Sequence, residues 1–209
     1  MRIPYTPDPP PTTTPEDAAI VSRVAARRAP RPLQPLDLAL LHAPPVADGW
    51  NAFLGAVRGR TSLHPALREL AICRVAVCNR AWYEWAHHAP LAREAGVGER
   101  GMAVVRREVL GEEEGKAGGD GGDGGDGKGD DRRGGLGERE WAVLRYADEM
   151  TRKVRVGDGL FEEMRALFSE REIVEITATV AAYNCVSRFL VALDVGERNN
   201  TGPDDVASH

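Results

Sequence analysis

The sequence predicts an all-α fold, on three observations. Apolar residues recur at spacings of three and four through most of the chain. No stretch of useful length alternates apolar and polar residues, as a half-buried strand would. Two runs, "HPALRELAICRVAVCN" and "IVEITATVAAYNCVSRFLVALDV", are apolar nearly all the way round a helix and predict two long buried helices packed together.

Taken in order, residues 1–35 are rich in Pro and Thr and contain one helix-compatible stretch, "PEDAAIVSRVAARR". They read as an arm laid over the body or over a partner subunit. "LDLALLHAPPVADGWNAFLGAVRG" reads as two short helices broken at Pro44 and Pro45, the second starting after Asp48 as N-cap. Pro65 then occupies a first-turn position and opens the first buried helix, whose only charges are Arg68, Glu69 and Arg74. "AWYEWAHHAPLAREAG" and "GERGMAVVRREVLG" follow as helices closed by Gly96 and Gly111.

Residues 111–135 are nearly half glycine and hold no large apolar side chain, which predicts a disordered insertion. Their Gly-Gly-Asp repeats lack the apolar anchor a calcium-binding repeat needs in each period. Helical spacing resumes at Trp141, Leu144, Tyr146, Ala147 and Met150, and "GDGLFEEMRALF" makes a short helix. Ser169 and Glu172 have the spacing of a capping box and open the second long helix. The expected organisation is one helical domain over 36–200, the insertion at 111–135 within it, and a flexible tail at 201–209.

Composition narrows the function. The net charge is −5, and residues 111–135 carry eight acids against four bases, so the remainder is close to neutral. A nucleic-acid surface would need a clustered basic face, and none is expected. No run approaches the roughly 18 consecutive apolar residues of a membrane span, and Met1 leads into "RIPYTPDPPPTTTPED". The expectation is a cytoplasmic protein without a membrane partner. Three cysteines argue against a disulfide framework. Cys73 and Cys78, five residues apart on one helix, lie roughly 7.5 Å apart along its axis, too far to bridge comfortably. All three thiols are expected to be buried and to act as small apolar residues.

The chemistry concentrates in "NRAWYEWAHHAPLA", residues 79–92. Glu84 and His88 are four apart, share a helix face and can touch. Trp82, Tyr83 and Trp85 surround them, and Pro90 should loosen the helix around His88. Glu69 lies on an apolar stripe, where a carboxylate must be paired or protonated; a buried salt bridge or a helix-starting acid is the alternative to a functional role. Asn184 and Arg188 bring donors to one face of the last helix, with Arg188 suited to clamping a carboxylate or to pairing Glu69, Glu172 or Glu175. His87 points about 100° away from His88 on the helix and reads as a neutral histidine outside the site. Glu84, His87 and His88 do not have the spacing of a zinc site, and no metal is expected.

"RELAICRVAVCNRAWYEWAHHAPLAREAGV", with the later "YNCVSRFLVALDV", resembles the carboxymuconolactone decarboxylase family, within the alkylhydroperoxidase D-like superfamily. Redox members of that superfamily carry a glutamate, a Cys-x-x-Cys pair and a histidine four residues after the second cysteine. On this chain the resemblance sets the glutamate at Glu69 and the histidine at His88, while the cysteine positions fall on Ala81 and Glu84. Thiol peroxidase activity needs both thiols and is not expected. The resemblance implies an alkylhydroperoxidase D-like helical bundle that assembles as a homo-oligomer, uses no cofactor and acts on small carboxylated or lactone-like molecules. The expected reaction is a lyase step of the decarboxylase kind, with isomerisation, dehydration or a purely binding role as alternatives. His88, Glu84 and Glu69 are the expected catalytic residues, and Arg188, Asn184, Trp85 and Tyr83 the expected substrate-binding ones.

Overall fold

A computed structural model describes residues 1–110 and 131–205. Among them are nine α-helices, one 3-10 turn and no strand. The helices are α1 (Pro15–Arg28), α2 (Pro35–Leu40), α3 (Pro44–Gly59), α4 (Pro65–Cys78), α5 (Trp82–Glu94), α6 (Glu99–Val105), α7 (Glu138–Lys153), α8 (Asp158–Leu167) and α9 (Glu170–Leu193). The all-α expectation holds. The glycine-rich segment expected to lack order lies outside the described residues over 111–130, and Asp131–Arg133 form the 3-10 turn.

Helix α4 is the axis of the fold and packs against α5, α7 and α9. Every residue of it from Ala66 to Val77 except Arg68 is buried, as its all-round apolar pattern predicts. One face sends Leu67, Ala71, Ile72 and Val75 into a core shared with α3, α7 and α9. The other sends Leu70, Cys73 and Ala76 into a second core with α5 and α6. At about 1.5–3 kcal/mol for each fully buried aliphatic side chain, these two cores supply the main driving force for folding.

Arg74 is the exception within α4: it is charged and completely buried. Its guanidinium donates to Asp148 Oδ1 on α7 and to the carbonyls of Val105 and Arg107, which close the chain after α6. Without those acceptors the burial of this charge would be prohibitive.

The prolines act as starters. Pro44 and Pro45 fill the first turn of α3, where a missing N–H leaves nothing unsatisfied, so the helix begins at Pro44 rather than after Asp48. Thr14 caps α1 and Ser169 caps α9 with the capping box to Glu172. Helix α5 continues through Pro90 to Glu94.

The amino-terminal segment lies on the body of its own chain. Ile20 and Val24 of α1 are buried against Leu40, Leu41 and Ala47. Arg23 pairs with Asp48, and Thr6 Oγ1 donates to the Leu38 carbonyl at 2.6 Å. At the other end of the chain, Pro203 and Asp204 are fastened to Trp85 and Arg106.

By length and composition α9 could cross a membrane; here it packs its inner face, including Ile176, Val180 and Tyr183, into the first core. Of the three thiols only Cys73 is buried; Cys78 is half-buried and Cys185 is exposed on α9, so the expectation of three buried cysteines is corrected.

Candidate active site

A cavity of about 210 Å³ opens between α1, α3, α5 and α9, and helical spacing explains its walls. Helix α5 contributes Glu84, His87, His88 and Leu91, one stripe at i, i+3, i+4 and i+7. The opposite stripe, Trp85, Ala89 and Ala92, faces the second core. Helix α9 supplies Tyr183, Val186 and Leu190; α3 supplies Trp50, Leu54 and Arg58.

His88 is buried, and its Nδ1 donates to Glu69 Oε2 on α4 at 2.6 Å. The other Glu69 oxygen accepts from Arg68 Nε at 3.2 Å. Burial would push the Glu69 carboxyl up, but the His88 and Arg68 donors outweigh it and hold it below the usual carboxylate range. For His88 the balance reverses: burial opposes the imidazolium more than Glu69 favours it, and the pKa is lowered. The pair is thus a carboxylate and a neutral imidazole, whose Nδ1–H is fixed on Glu69 and whose Nε2 lone pair is left available. Among the described residues nothing hydrogen-bonds Nε2. The Tyr183 ring meets the imidazole edge-on, with centroids 5.0 Å apart, and fixes its plane.

Glu84 is 2% exposed and has no cationic partner. Ser187 Oγ of α9 donates to Oε2 at 2.9 Å, while Oε1 has no hydrogen-bond partner. Burial raises its pKa well above the ordinary carboxyl value, against the smaller lowering by Ser187. Burial therefore favours the protonated form of Glu84, and its unpartnered oxygen belongs to a residue on the cavity wall. The Tyr83 hydroxyl is also on that wall; it senses the Leu36 backbone without an aligned hydrogen bond, and burial pushes its pKa up to about 12.

The expected site residues separate into two groups. Tyr83, Glu84 and His88 line the cavity, with Glu69 behind His88, but Glu84 and His88 do not bond each other: each finds its partner on a different helix. Arg188, Asn184 and Trp85 lie elsewhere. Arg188 is exposed and bonded to Asn184 on its own helix, and Asn184 reaches Thr151 and Asn79. Trp85 is buried in the second core, its Nε1 donating to the Pro203 carbonyl at 3.2 Å. Tryptophan does line the cavity, as Trp50 of α3. His87, expected to lie outside the site, stands at the cavity wall with Nδ1 2.8 Å from the Tyr83 carbonyl.

Ser187, Tyr183 and Arg58 were not identified from the sequence. Tyr183 and Ser187 are four apart on α9, a spacing that places them on one face, but nothing in the sequence says that the face meets α5. Arg58 makes no ion pair among the described residues, and its charge is felt at both His88 and Tyr183. It has no sequence signal beyond its place near the end of α3.

Fold and site together define a helical bundle with a glutamate–histidine pair at a pocket between helices. Residues 44–109, from α3 to just beyond α6, match the family model described as the carboxymuconolactone decarboxylase family, which bears out the resemblance over that stretch. Among solved structures, the chain is similar to an uncharacterized peroxidase-related protein from Silicibacter sp. TM1040. The identity is 16%, over 92% of this chain and 91% of that one, with a TM-score of 0.65. A second is a protein of unknown function from Agrobacterium tumefaciens provisionally named as an antioxidant defence protein, AhpD. It is 22% identical over 78% of this chain and 93% of that one, with a TM-score of 0.57. These likenesses establish the alkylhydroperoxidase D-like fold. No curated protein matches the chain.

Proposed function

We propose that the cavity is the active site of a lyase of the decarboxylase kind, acting by proton transfer on a small unsaturated carboxylic acid or lactone. The observation that carries this reading is the pairing of opposite protonation states on one wall: a neutral imidazole with a fixed tautomer and a carboxyl group held protonated by burial. A site with both can accept a proton at one atom and supply one at another.

In the lyase reaction, Arg58, a cavity-lining cation whose charge is felt at His88, holds a carboxylate. The bond between the departing carboxyl group and its carbon breaks, CO2 leaves, and the electron pair passes into the conjugated carbonyl. The Glu84 carboxyl hydrogen-bonds the oxygen where charge gathers and donates its proton to the product; the resulting carboxylate recovers a proton from solvent. Ser187 keeps Glu84 aimed, and the apolar walls from Trp50, Leu54 and Leu190 exclude water from the developing charge.

The available Nε2 of His88 also favours a second reading, isomerisation. Nε2 removes a proton from the carbon next to the carbonyl, Glu84 holds the enolate oxygen, and the imidazolium returns the proton at the conjugated position. Glu69 stabilises the imidazolium meanwhile. Thiol chemistry finds no support here, since Ala81 and Glu84 stand at the two cysteine positions. Cys73 is fully buried and its pKa is raised well above the thiol's ordinary value.

A screen over small unsaturated lactones and carboxylic acids, reading CO2 release and isomer formation, tests the proposal. With any substrate that turns over, Glu84→Gln should lower kcat/KM by about 10²–10⁴-fold for either reaction, and His88→Ala by as much for an isomerisation, with the helical fold retained in both. Turnover that persists in both variants would refute the assignment.

A further inference from the structure

The Glu69–His88 pair continues one group further back from the cavity. Buried Glu69 divides its oxygens between two donors: Oε2 accepts from His88 Nδ1 at 2.6 Å, and Oε1 accepts from Arg68 Nε at 3.2 Å. Guanidinium, carboxylate and imidazole form one chain, running from the half-buried side chain of Arg68 to the imidazole of His88. Arg68 itself does not line the cavity.

Its place in the helix makes this contact unusual. Adjacent residues of α4 project about 100° apart and do not face each other, so Arg68 reaches Glu69 only by folding its long stem back across the helix. Arg68 is also the one residue between Ala66 and Val77 that is not buried, and its guanidinium could extend into solvent. It lies instead against the oxygen of Glu69 that His88 leaves open.

What that contact does for His88 follows from the surroundings of the ring. Burial acts most strongly and opposes the imidazolium; Glu69 of α4 favours it, and Arg58 of α3 and His87 of α5 oppose it. Glu84 of α5 and Tyr183 of α9 share the cavity wall with His88 in forms that burial keeps neutral. A carboxylate within hydrogen-bond distance draws a proton onto an imidazole. A cation on the far oxygen of that carboxylate weakens the pull, and a second donor holds the carboxylate in the orientation that receives Nδ1–H.

Resting on the reading of His88 as a base at the cavity, we propose that Arg68 is a positioning residue for the reaction: by engaging the second oxygen of Glu69 it fixes the carboxylate on Nδ1 and keeps the imidazole uncharged. The planar guanidinium suits this role, since its charge is permanent and its donors have a fixed direction.

The test follows the nitrogen-15 resonances of His88 through a pH titration of the full chain and of Arg68→Gln, Arg68→Met and Arg68→Lys. Gln removes the charge and Met removes it while keeping an apolar stem, so either variant gives the result if the other does not fold. Without the cation, the proton affinity of His88 should rise about three- to tenfold. With any substrate that His88 serves as base, the acid limb of the pH–rate profile should move to higher pH by the same factor. Arg68→Lys keeps the charge and should titrate close to the unmodified chain. An unchanged His88 titration in the Gln and Met variants, or a Lys variant displaced as far as they are, would overturn the role of Arg68 while leaving His88 in place as the base. An imidazolium at pH 7 in the unmodified chain would overturn both.

Discussion

At the scale of single residues, the site depends on how burial is divided among three ionisable groups. Glu69 has two donors and stays charged; His88 has one charged partner and stays neutral; Glu84 has a single hydroxyl donor and stays protonated. Each state has a consequence for stability. A carboxyl whose pKa is raised in the folded chain binds a proton that the unfolded chain releases, so stability falls as pH rises from the ordinary carboxyl value towards the raised one. Glu84→Gln should therefore flatten the decline above about pH 4.5, and denaturant titrations of the two proteins across pH 5 to 8 would measure it. His88 acts at the acid side: its lowered pKa means that the unfolded chain takes up protons first, and stability is lost as pH falls below the ordinary histidine value of about 6.5. Activity should follow a bell-shaped pH profile, with His88 on the acid limb and Glu84 on the basic limb.

At the scale of elements, much was legible in the sequence because helical periodicity reports burial directly. The all-round apolar pattern of "ALRELAICRVAV" announced a buried α4, and Ser169 with Glu172 announced the start of α9. Within α5 the stripe Glu84, His87, His88 and Leu91 was readable as one face, although His87 was assigned away from it on its 100° offset from His88. A cavity wall spans more than 100° of a helix, and both histidines fit on it. What periodicity does not encode is which face meets which helix. Glu84 and His88 look like a pair because four residues separate them, yet Ser187 lies 103 residues from Glu84 and Glu69 lies 19 from His88. Arg188 was misplaced for the same reason: its chemistry was right for a clamp, but its side of α9 faces outward. Arg74 shows the energetic stake of such long-range partners. Arg74→Ala would leave Asp148 and the carbonyls after α6 without their donor, and Arg152 replaces only part of that loss. The expected cost is about 3 kcal/mol, read from the shift in urea midpoint.

At the scale of the whole molecule, the amino-terminal residues meet the segment after α9 beside Tyr83. The amino terminus pairs with Glu197, Arg2 N–H donates to the Leu193 carbonyl at 2.8 Å, and Tyr5 Oη accepts from Gly196 N–H at 2.8 Å. Gly196 is the hinge of that arrangement. It has φ of +75°, and a β-carbon there would lie 2.2 Å from the Tyr83 ring. Gly196→Ala should cost at least about 1–2 kcal/mol from backbone conformation alone, and more where Tyr83 must move. Because Tyr83 is part of the cavity wall, the same substitution should weaken ligand binding as well as lower the melting temperature; a variant that melted earlier with unaltered affinity would separate the two ends from the site.

A neutral His88, oriented by Glu69 through Nδ1, presents a basic nitrogen at the cavity wall. Nitrogen-15 NMR of the histidine side chains measures this most directly. The expected result is a neutral His88 at pH 7 with its proton on Nδ1, protonating only below about pH 6.5, and a loss of that tautomer preference in Glu69→Ala. An imidazolium at pH 7, or a neutral ring with its proton on Nε2, would contradict it.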